Sequence, residues 1–258
     1  MSKFFVNENQ VKEDEIIIIG DDVNHIKNVL RYNVSDEITI CANGINYLAE
    51  IKEFNKDNIV CKINEKIDKE LAESNVNITI FQGLPKADKM ELIIQKGTEL
   101  GVSEFVPVKF ERSVVKLSGK DEKKKIERWQ KIAEVAAKQC GRDIIPKIKN
   151  VNNIENVCKL IEKYDIVLLA YENETENFLK HELVKIKGKK NYNIGIVIGP
   201  EGGISEFEVN KLKENGAKVI SLGKRILRTE TVCLAMSSII MYELGDIGGN
   251  CNWNLMKN

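Results

Sequence analysis

From Val76 onward, short apolar runs alternate with helical patterns, and a parallel sheet covered on both faces is the arrangement that satisfies such a sequence. The runs are Val76 to Phe81, Glu104 to Val108, Asp165 to Ala170, Tyr192 to Ile198 and Lys218 to Leu222. Between them lie helical patterns at Lys86 to Leu100, Asp121 to Cys140, Ile154 to Lys163 and Ser205 to Asn215. A strand buried on both faces reads as nearly continuous Val, Ile and Leu, and parallel neighbours need a helix-length crossover. A last helix, Glu230 to Leu244, is apolar around most of its circumference, which predicts burial in the core or against a second copy of the chain.

Residues 1 to 70 follow another pattern. Short strands are predicted at Glu15 to Ile19, Glu37 to Cys41, Ile45 to Glu53 and Asn58 to Ile67, with turn signals at Gly20-Asp-Asp and Ala42-Asn-Gly44 and one helix, Val23 to Arg31. The expectation is a small β-rich domain over 1–73, a polar linker near Lys69 to Asn75, and an α/β domain over 74–258.

The formal net charge of zero hides a division between these parts. Residues 1–73 carry 9 basic against 15 acidic side chains, and residues 74–258 carry 30 against 24. Lys109 to Lys149 holds 13 basic and 6 acidic residues, a field suited to polyanions, although such a run also describes a solvated helix face. The longest strictly aliphatic run, Ile16 to Ile19, is far short of the ~20 residues that span a bilayer, and no signal-peptide core is evident, so a cytoplasmic location is expected without membrane partners. Six cysteines, at 41, 61, 140, 158, 233 and 251, form no Cys-x-x-Cys, and with only His25 and His181 beside them no metal site is expected. Reduced, packing thiols follow.

Two glycine-rich corners are expected at the ends of neighbouring strands. The first, Gly199-Pro-Glu-Gly-Gly-Ile-Ser205, precedes a helix whose Ser205-Glu-Phe-Glu208 has the form of a capping box. The second, around Ser221, Leu222 and Gly223, precedes Lys224 to Thr231. Residues without a Cβ let main chain approach a ligand that side chains would hold off. Neither a Walker loop nor Gly-x-Gly-x-x-Gly occurs, and Glu201 and Glu230 set negative charge at the corners, which disfavours a polyphosphate and tolerates a cationic ligand.

The segments Gln82 to Val102, Arg128-Trp129 with Ala137 to Arg142, Gly199 to Gly203 and Leu222 to Thr231 closely resemble the bacterial RsmE-type family, whose members methylate N3 of a uridine in 16S ribosomal RNA. The resemblance spans essentially the whole chain, including Val6-Asn7 and His25 to Arg31. It implies a PUA-like N-terminal barrel joined to a SPOUT-type methyltransferase domain with a trefoil knot, a topology that general folding rules would have excluded. It also implies S-adenosylmethionine as cofactor and a homodimer. Carried over, the cofactor loops are Ile198, Gly199, Pro200, Glu201, Gly202 and Gly203, then Ser221, Leu222 and Gly223, then Ile226, Leu227 and Arg228, with Tyr171 and Glu172 bordering the pocket. Leu222, Ile226 and Leu227 would form the slot for adenine. Val232 stands where the family usually has alanine, and Gly83 and Gly97 where alanine is common.

Methyl transfer to N3 requires alignment of nucleophile, methyl carbon and leaving sulfur, and an imide proton must depart. Arg228 is the candidate for stabilising the imidate, and Glu230 or Glu201 the candidate base, while Glu230 equally suits the first-turn dipole of the last helix. RNA contacts are expected from Arg31, Lys86, Lys89, Arg112, Arg128 and Arg142, the flipped base being read in the pocket. Arg128 beside Trp129 is as readily a packed stem, and Arg31 could pair with a nearby acid. An RNA-binding assembly factor without turnover, or a related knotted enzyme acting on ribose or transfer RNA, are the alternative functions.

Overall fold

The computed structural model describes residues 3–67, 72–115, 117 and 119–249, so Cys251 and part of the expected linker lie outside the described residues. The chain divides into two units, the first comprising Met1–Glu73 together with Ala137–Ile144 and the second Ser74–Ala136 with Ile145–Asn258. Among the described residues no helix is long and apolar enough to cross a membrane.

The first unit contains β1 (Lys3–Val6), β2 (Glu15–Ile19), α1 (Asp21–Asn24), β3 (Glu37–Ala42), β4 (Ile45–Phe54) and β5 (Asn58–Ile67). Its sheet runs β1-β3-β4-β5-β2, with β1 parallel to β3 and the other pairs antiparallel. Alternation sorts the faces: Ile16 and Ile18 of β2 are buried with Ile38, Ile40, Ile51 and Ile59, whereas Ile19 points outward. The β3–β4 hairpin turns on Asn43 and Gly44, both at positive φ, as a two-residue Asn-Gly turn demands. The expected helix over Val23 to Arg31 differs in detail. It is α1 followed by a π-helical turn, His25–Val29, and it ends at Arg31 in left-handed backbone, φ 56°.

That unit is also discontinuous in sequence. Arg142 in the returning segment donates to Glu73 through Nε and Nη2, the latter at 2.6 Å, while the backbone N–H groups of Asp143 and Ile144 donate to Glu73 Oε1 at 2.9 Å. Asp143 is buried and accepts from Lys3, from Asn46 Nδ2 and from the Ala72 backbone. Ionised groups are tolerated out of water when paired in this way.

The second unit contains β6 (Val76–Gly83), α2 (Lys89–Glu99), β7 (Val102–Lys109), α3 (Gly119–Cys140, whose last turn belongs to the first unit), β8 (Lys147–Ile148) and β9 (Asn152–Asn153). It continues with α4 (Ile154–Leu160), β10 (Ile166–Ala170), α5 (Leu179–Ile186), β11 (Tyr192–Ile198), α6 (Glu206–Glu214), β12 (Lys218–Ile220) and α7 (Thr229–Leu244). The sheet is parallel in the order β12-β10-β11-β6-β7-β8, with β9 also on β7. Strand residues divide by parity. Ile78, Ile80, Leu168, Ile194 and Ile196 pack with Met90 and Ile94 of α2 and Met236 and Ile240 of α7, while Phe81, Val167, Leu169 and Val197 pack with Val157 of α4 and Leu212 of α6.

The path away from β6 proceeds through α2 to β7 on one side, and the path away from β11 proceeds through α6 to β12 on the other. A crevice therefore opens at the carboxyl ends of these two adjacent strands, the position where open α/β sheets bind ligands. The last helix is less buried than its composition suggests. Cys233, Met236, Ile240 and Met241 face the core, but Ile239 is 42% exposed and Tyr242 64% exposed.

Candidate active site

A cleft of about 350 Å³ occupies that crevice, lined by Ile198, Gly199, Pro200, Glu201 and Gly203 of the first corner and by Ile226, Leu227 and Arg228 ahead of α7. The second corner follows β12, which β10 separates from β11, so the corners do not leave neighbouring strands as expected. Its Ser221, Leu222 and Gly223 line a side compartment of about 100 Å³ that shares Ala170, Glu172, Ile226, Leu227 and Val232 with the cleft. Of the twelve residues expected to hold a cofactor, only Gly202 is on neither wall. It lies beneath the corner, where a Cβ would come within 2.9 Å of the Arg112 carbonyl oxygen.

Backbone geometry makes this space. Gly203 has φ +73°, and its N–H closes a turn by donating to the Pro200 carbonyl at 2.9 Å. A Cβ there would meet Glu172 Oε1 at 2.9 Å. Gly83, at the end of β6, lies so close to the corner that a Cβ would be 2.5 Å from the Pro200 nitrogen. The turn into α6 is fixed by the expected capping box: Ser205 N–H donates to Glu208 Oε2 at 3.1 Å and Glu208 N–H to Ser205 Oγ at 3.4 Å. The other Glu208 oxygen accepts from the Glu111 backbone at 2.8 Å, tying in the loop after β7.

The charged groups are arranged around one ammonium. Lys89, the first residue of α2, lies 3.0 Å from Glu201 Oε1 and 3.3 Å from Glu230 Oε2. Both Glu201 oxygens also accept from the Lys86 backbone N–H, at 3.1 and 3.2 Å. Burial works to raise the Glu201 pKa, but the Lys89 hydrogen bond and the backbone donors outweigh it and hold the carboxyl below the usual range. The Lys89 ammonium is in turn pushed up, first by its bond to Glu201. Glu230 Oε2 is buried within ion-pair range of Lys89, whose ammonium is its charge partner. Arg228 is exposed at the N-cap of α7 and has no side-chain capping bond.

The expected RNA-binding residues separate. Lys86, Lys89 and Arg112 adjoin the corner, and the Arg112 Nη1 lies 3.9 Å from where a Gly203 Cβ would be. Lys89, however, is engaged by two carboxylates, a role its place in a Lys-x-x-Lys stretch did not reveal. Arg128 is 59% exposed at its side chain and paired with Glu91 at 2.8 Å, on a groove between α2 and α3. In the first unit, Arg31 has an exposed side chain on unusual backbone next to the π turn, a combination that recurs at functional positions. Arg142 departs from expectation: it is 5% exposed and its guanidinium is spent on Glu73, so it is a fold-holding residue there and not one open to phosphate.

The chain's sequence and fold both have relatives. Residues 72–241 match the family described as RNA methyltransferase domain, and residues 18–64 match the RNA methyltransferase PUA domain. A Bacillus subtilis protein named ribosomal RNA small subunit methyltransferase E is 38% identical over 94% of this chain and 97% of its own length. A protein of the same name from Mesomycoplasma hyopneumoniae is 33% identical over 91% of this chain and 96% of its own. Among solved structures, a ribosomal RNA small subunit methyltransferase E from Neisseria gonorrhoeae bound to S-adenosyl methionine aligns with a TM-score of 0.83 at 29% identity, covering 96% of this chain and 99% of that one.

Proposed function

This chain belongs to the RsmE-type family of RNA methyltransferases, and on that premise we propose that it methylates N3 of a specific uridine in 16S ribosomal RNA. Small-subunit ribosomal RNA is its substrate class and S-adenosylmethionine its methyl donor. The observation that carries the reading is the convergence of both glycine corners, Lys89, Glu201 and Arg228 on one cleft and its side compartment at the carboxyl ends of β6 and β11, with Glu230 joined to it through Lys89.

The residues fit the donor. Glycines let the first corner pack tightly on Ile204, Arg112 and Glu172 so that its main chain lines the cleft, Leu222, Ile226 and Leu227 offer an apolar wall for adenine, and Glu172 and Glu201 suit a cation. When bound, S-adenosylmethionine supplies an electrophilic methyl group on a sulfonium. The rest of the chemistry falls to the chain. Arg228, exposed on the rim, offsets the charge that develops on the uracil oxygens as N3 loses its proton. Glu230 is the candidate base, because its Oε2 answers to Lys89 while both Glu201 oxygens accept from the Lys86 backbone as well. Lys86 and Arg112 contact phosphates beside the corner, and Arg31 is a separate RNA contact in the first unit.

The reading includes a SPOUT-type knotted domain, a PUA-like barrel and a cytoplasmic setting. It also includes a homodimer formed on the face of α7 that carries Ile239 and Tyr242, since an apolar helix face left open in one chain suits a second copy. Mass analysis of 16S ribosomal RNA from cells with and without the protein tests the function directly. A 3-methyluridine that disappears on deletion and returns on complementation is expected; an unchanged nucleoside profile would overturn the proposal.

A further inference from the structure

The floor of the cleft is held by a buried polar chain. Gln82, the penultimate residue of β6, is 0% exposed, and its Nε2 donates to the Gly83 carbonyl at 2.9 Å and to Thr229 Oγ1 at 2.8 Å. Thr229, the first residue of α7, donates its hydroxyl proton to the Gly199 carbonyl at 2.7 Å. The orientation is determined by chemistry. A carbonyl can only accept, so the single Thr229 proton goes to Gly199, and Thr229 must accept from the amide. Turning the Gln82 amide over would set its oxygen against the Gly83 oxygen. The cost is visible: Gln82 Oε1 is buried with no partner among the described residues.

A leucine at 82 and a valine at 229 would remove that orphan but take from the Gly83 and Gly199 carbonyls the donors that meet there, so the polar chain serves the backbone at the cleft floor and not side-chain packing. What the polar chain does is join three segments at one point: the end of β6, the first corner at Gly199, and the start of α7, where Arg228 and Glu230 flank Thr229. Gly199 and Thr229 both line the cleft. We infer that Gln82 and Thr229 are positioning residues that fix the separation of the first corner from the wall that carries Arg228 and so set the cleft's fit to the methyl donor. This deepens the methyltransferase reading and rests on it.

The test compares full-length wild type with Thr229→Val, Thr229→Ser and Gln82→Leu, titrating S-adenosylmethionine by calorimetry and melting each protein without ligand. Thr229→Val and Gln82→Leu should bind about tenfold more weakly or worse, the scale of one lost net hydrogen bond. Their ligand-free melting temperatures should fall by no more than a few degrees, the scale of one backbone carbonyl losing a donor, and Thr229→Ser, which keeps the hydroxyl, should bind like wild type. Wild-type affinity in both apolar variants would overturn the inference, as would a fall in melting temperature with affinity retained. Should one variant fail to fold, the other decides. Absence of uptake by wild type itself would instead overturn the methyltransferase reading.

Discussion

Lys89 holds the Glu201 carboxylate at 3.0 Å, so the α2 residue expected to grip RNA phosphate instead governs the charge of the first corner. The pair lowers the Glu201 pKa and raises that of Lys89, which keeps both ionised at neutral pH. Replacing Lys89 with Met removes this support, and the Glu201 pKa should rise. The acid limb of a pH–kcat/KM profile is then expected to move to higher pH, with turnover at neutral pH reduced roughly tenfold or more. An unmoved limb would show that the pair has no part in the reaction.

Glu230→Gln and Glu201→Gln separate the two carboxylates. The first should lower kcat by about 10²–10⁴-fold, the range for a lost general base, with S-adenosylmethionine affinity within about twofold of wild type. Glu201→Gln should weaken cofactor affinity more than it slows the chemical step. Single-turnover methylation of small-subunit RNA at saturating cofactor distinguishes them, and equal kcat losses would withdraw the assignment of Glu230.

At Gly83 the added methyl of alanine would press on the Pro200 backbone, a neighbour with no rotamer to yield. Gly83→Ala is therefore expected to cost about 1–3 kcal/mol of stability, the range for overpacking, and to weaken cofactor binding through displacement of the corner. Urea unfolding and calorimetry measure the two effects. The reverse change in size, Val232→Ala, opens the wall shared by cleft and side compartment and should tighten cofactor binding several-fold.

In the first unit, Arg142→Ala leaves the partly buried Glu73 without its cation and should cost up to about 3 kcal/mol, below the range for a fully buried pair, measured by unfolding, while leaving the cofactor dissociation constant unchanged. Asp143 adds a pH signature. Burial raises its pKa, but Lys3, Asn46 and the Ala72 N–H hold it below the ordinary aspartate value. Its contribution to stability is complete above the unfolded pKa and is lost as the pH falls through the lower folded value. Asp143→Asn should consequently flatten the decline of stability below about pH 4. Parallel wild-type and variant curves would contradict that.

Where side-chain pattern and backbone agreed, the fold was legible. Asn58–Ile67 and Tyr192–Ile198 run between the expected residues because Asn55-Lys-Asp57 precedes the first, Lys190-Asn191 precedes the second and Gly199 ends it. Other features left little trace. The stripe of Leu179, Leu183 and Ile186 spans a two-turn helix, too short for a periodic signal. Gln82 reads in sequence as the end of an apolar run at Phe81, whereas β6 continues through it to Gly83 with the amide buried. The site's outline was visible in its glycines, since missing Cβ atoms can be read directly. The pairing of Lys89 with two carboxylates, and of Arg142 with Glu73, depends on residues 69 to 141 positions apart and has no local signature.

The return of Ala137–Ile144 to the first unit has a consequence for biosynthesis. Although its β-strands are all translated by residue 67, the acceptors Glu73 and Asp143 and the cation Arg142 meet only after more than half of the polypeptide has left the ribosomal exit tunnel. The N-terminal module is thus denied an early, independent finish, and a nascent chain arrested before that segment emerges would carry it with its polar seam open, exposed to proteases until translation resumes.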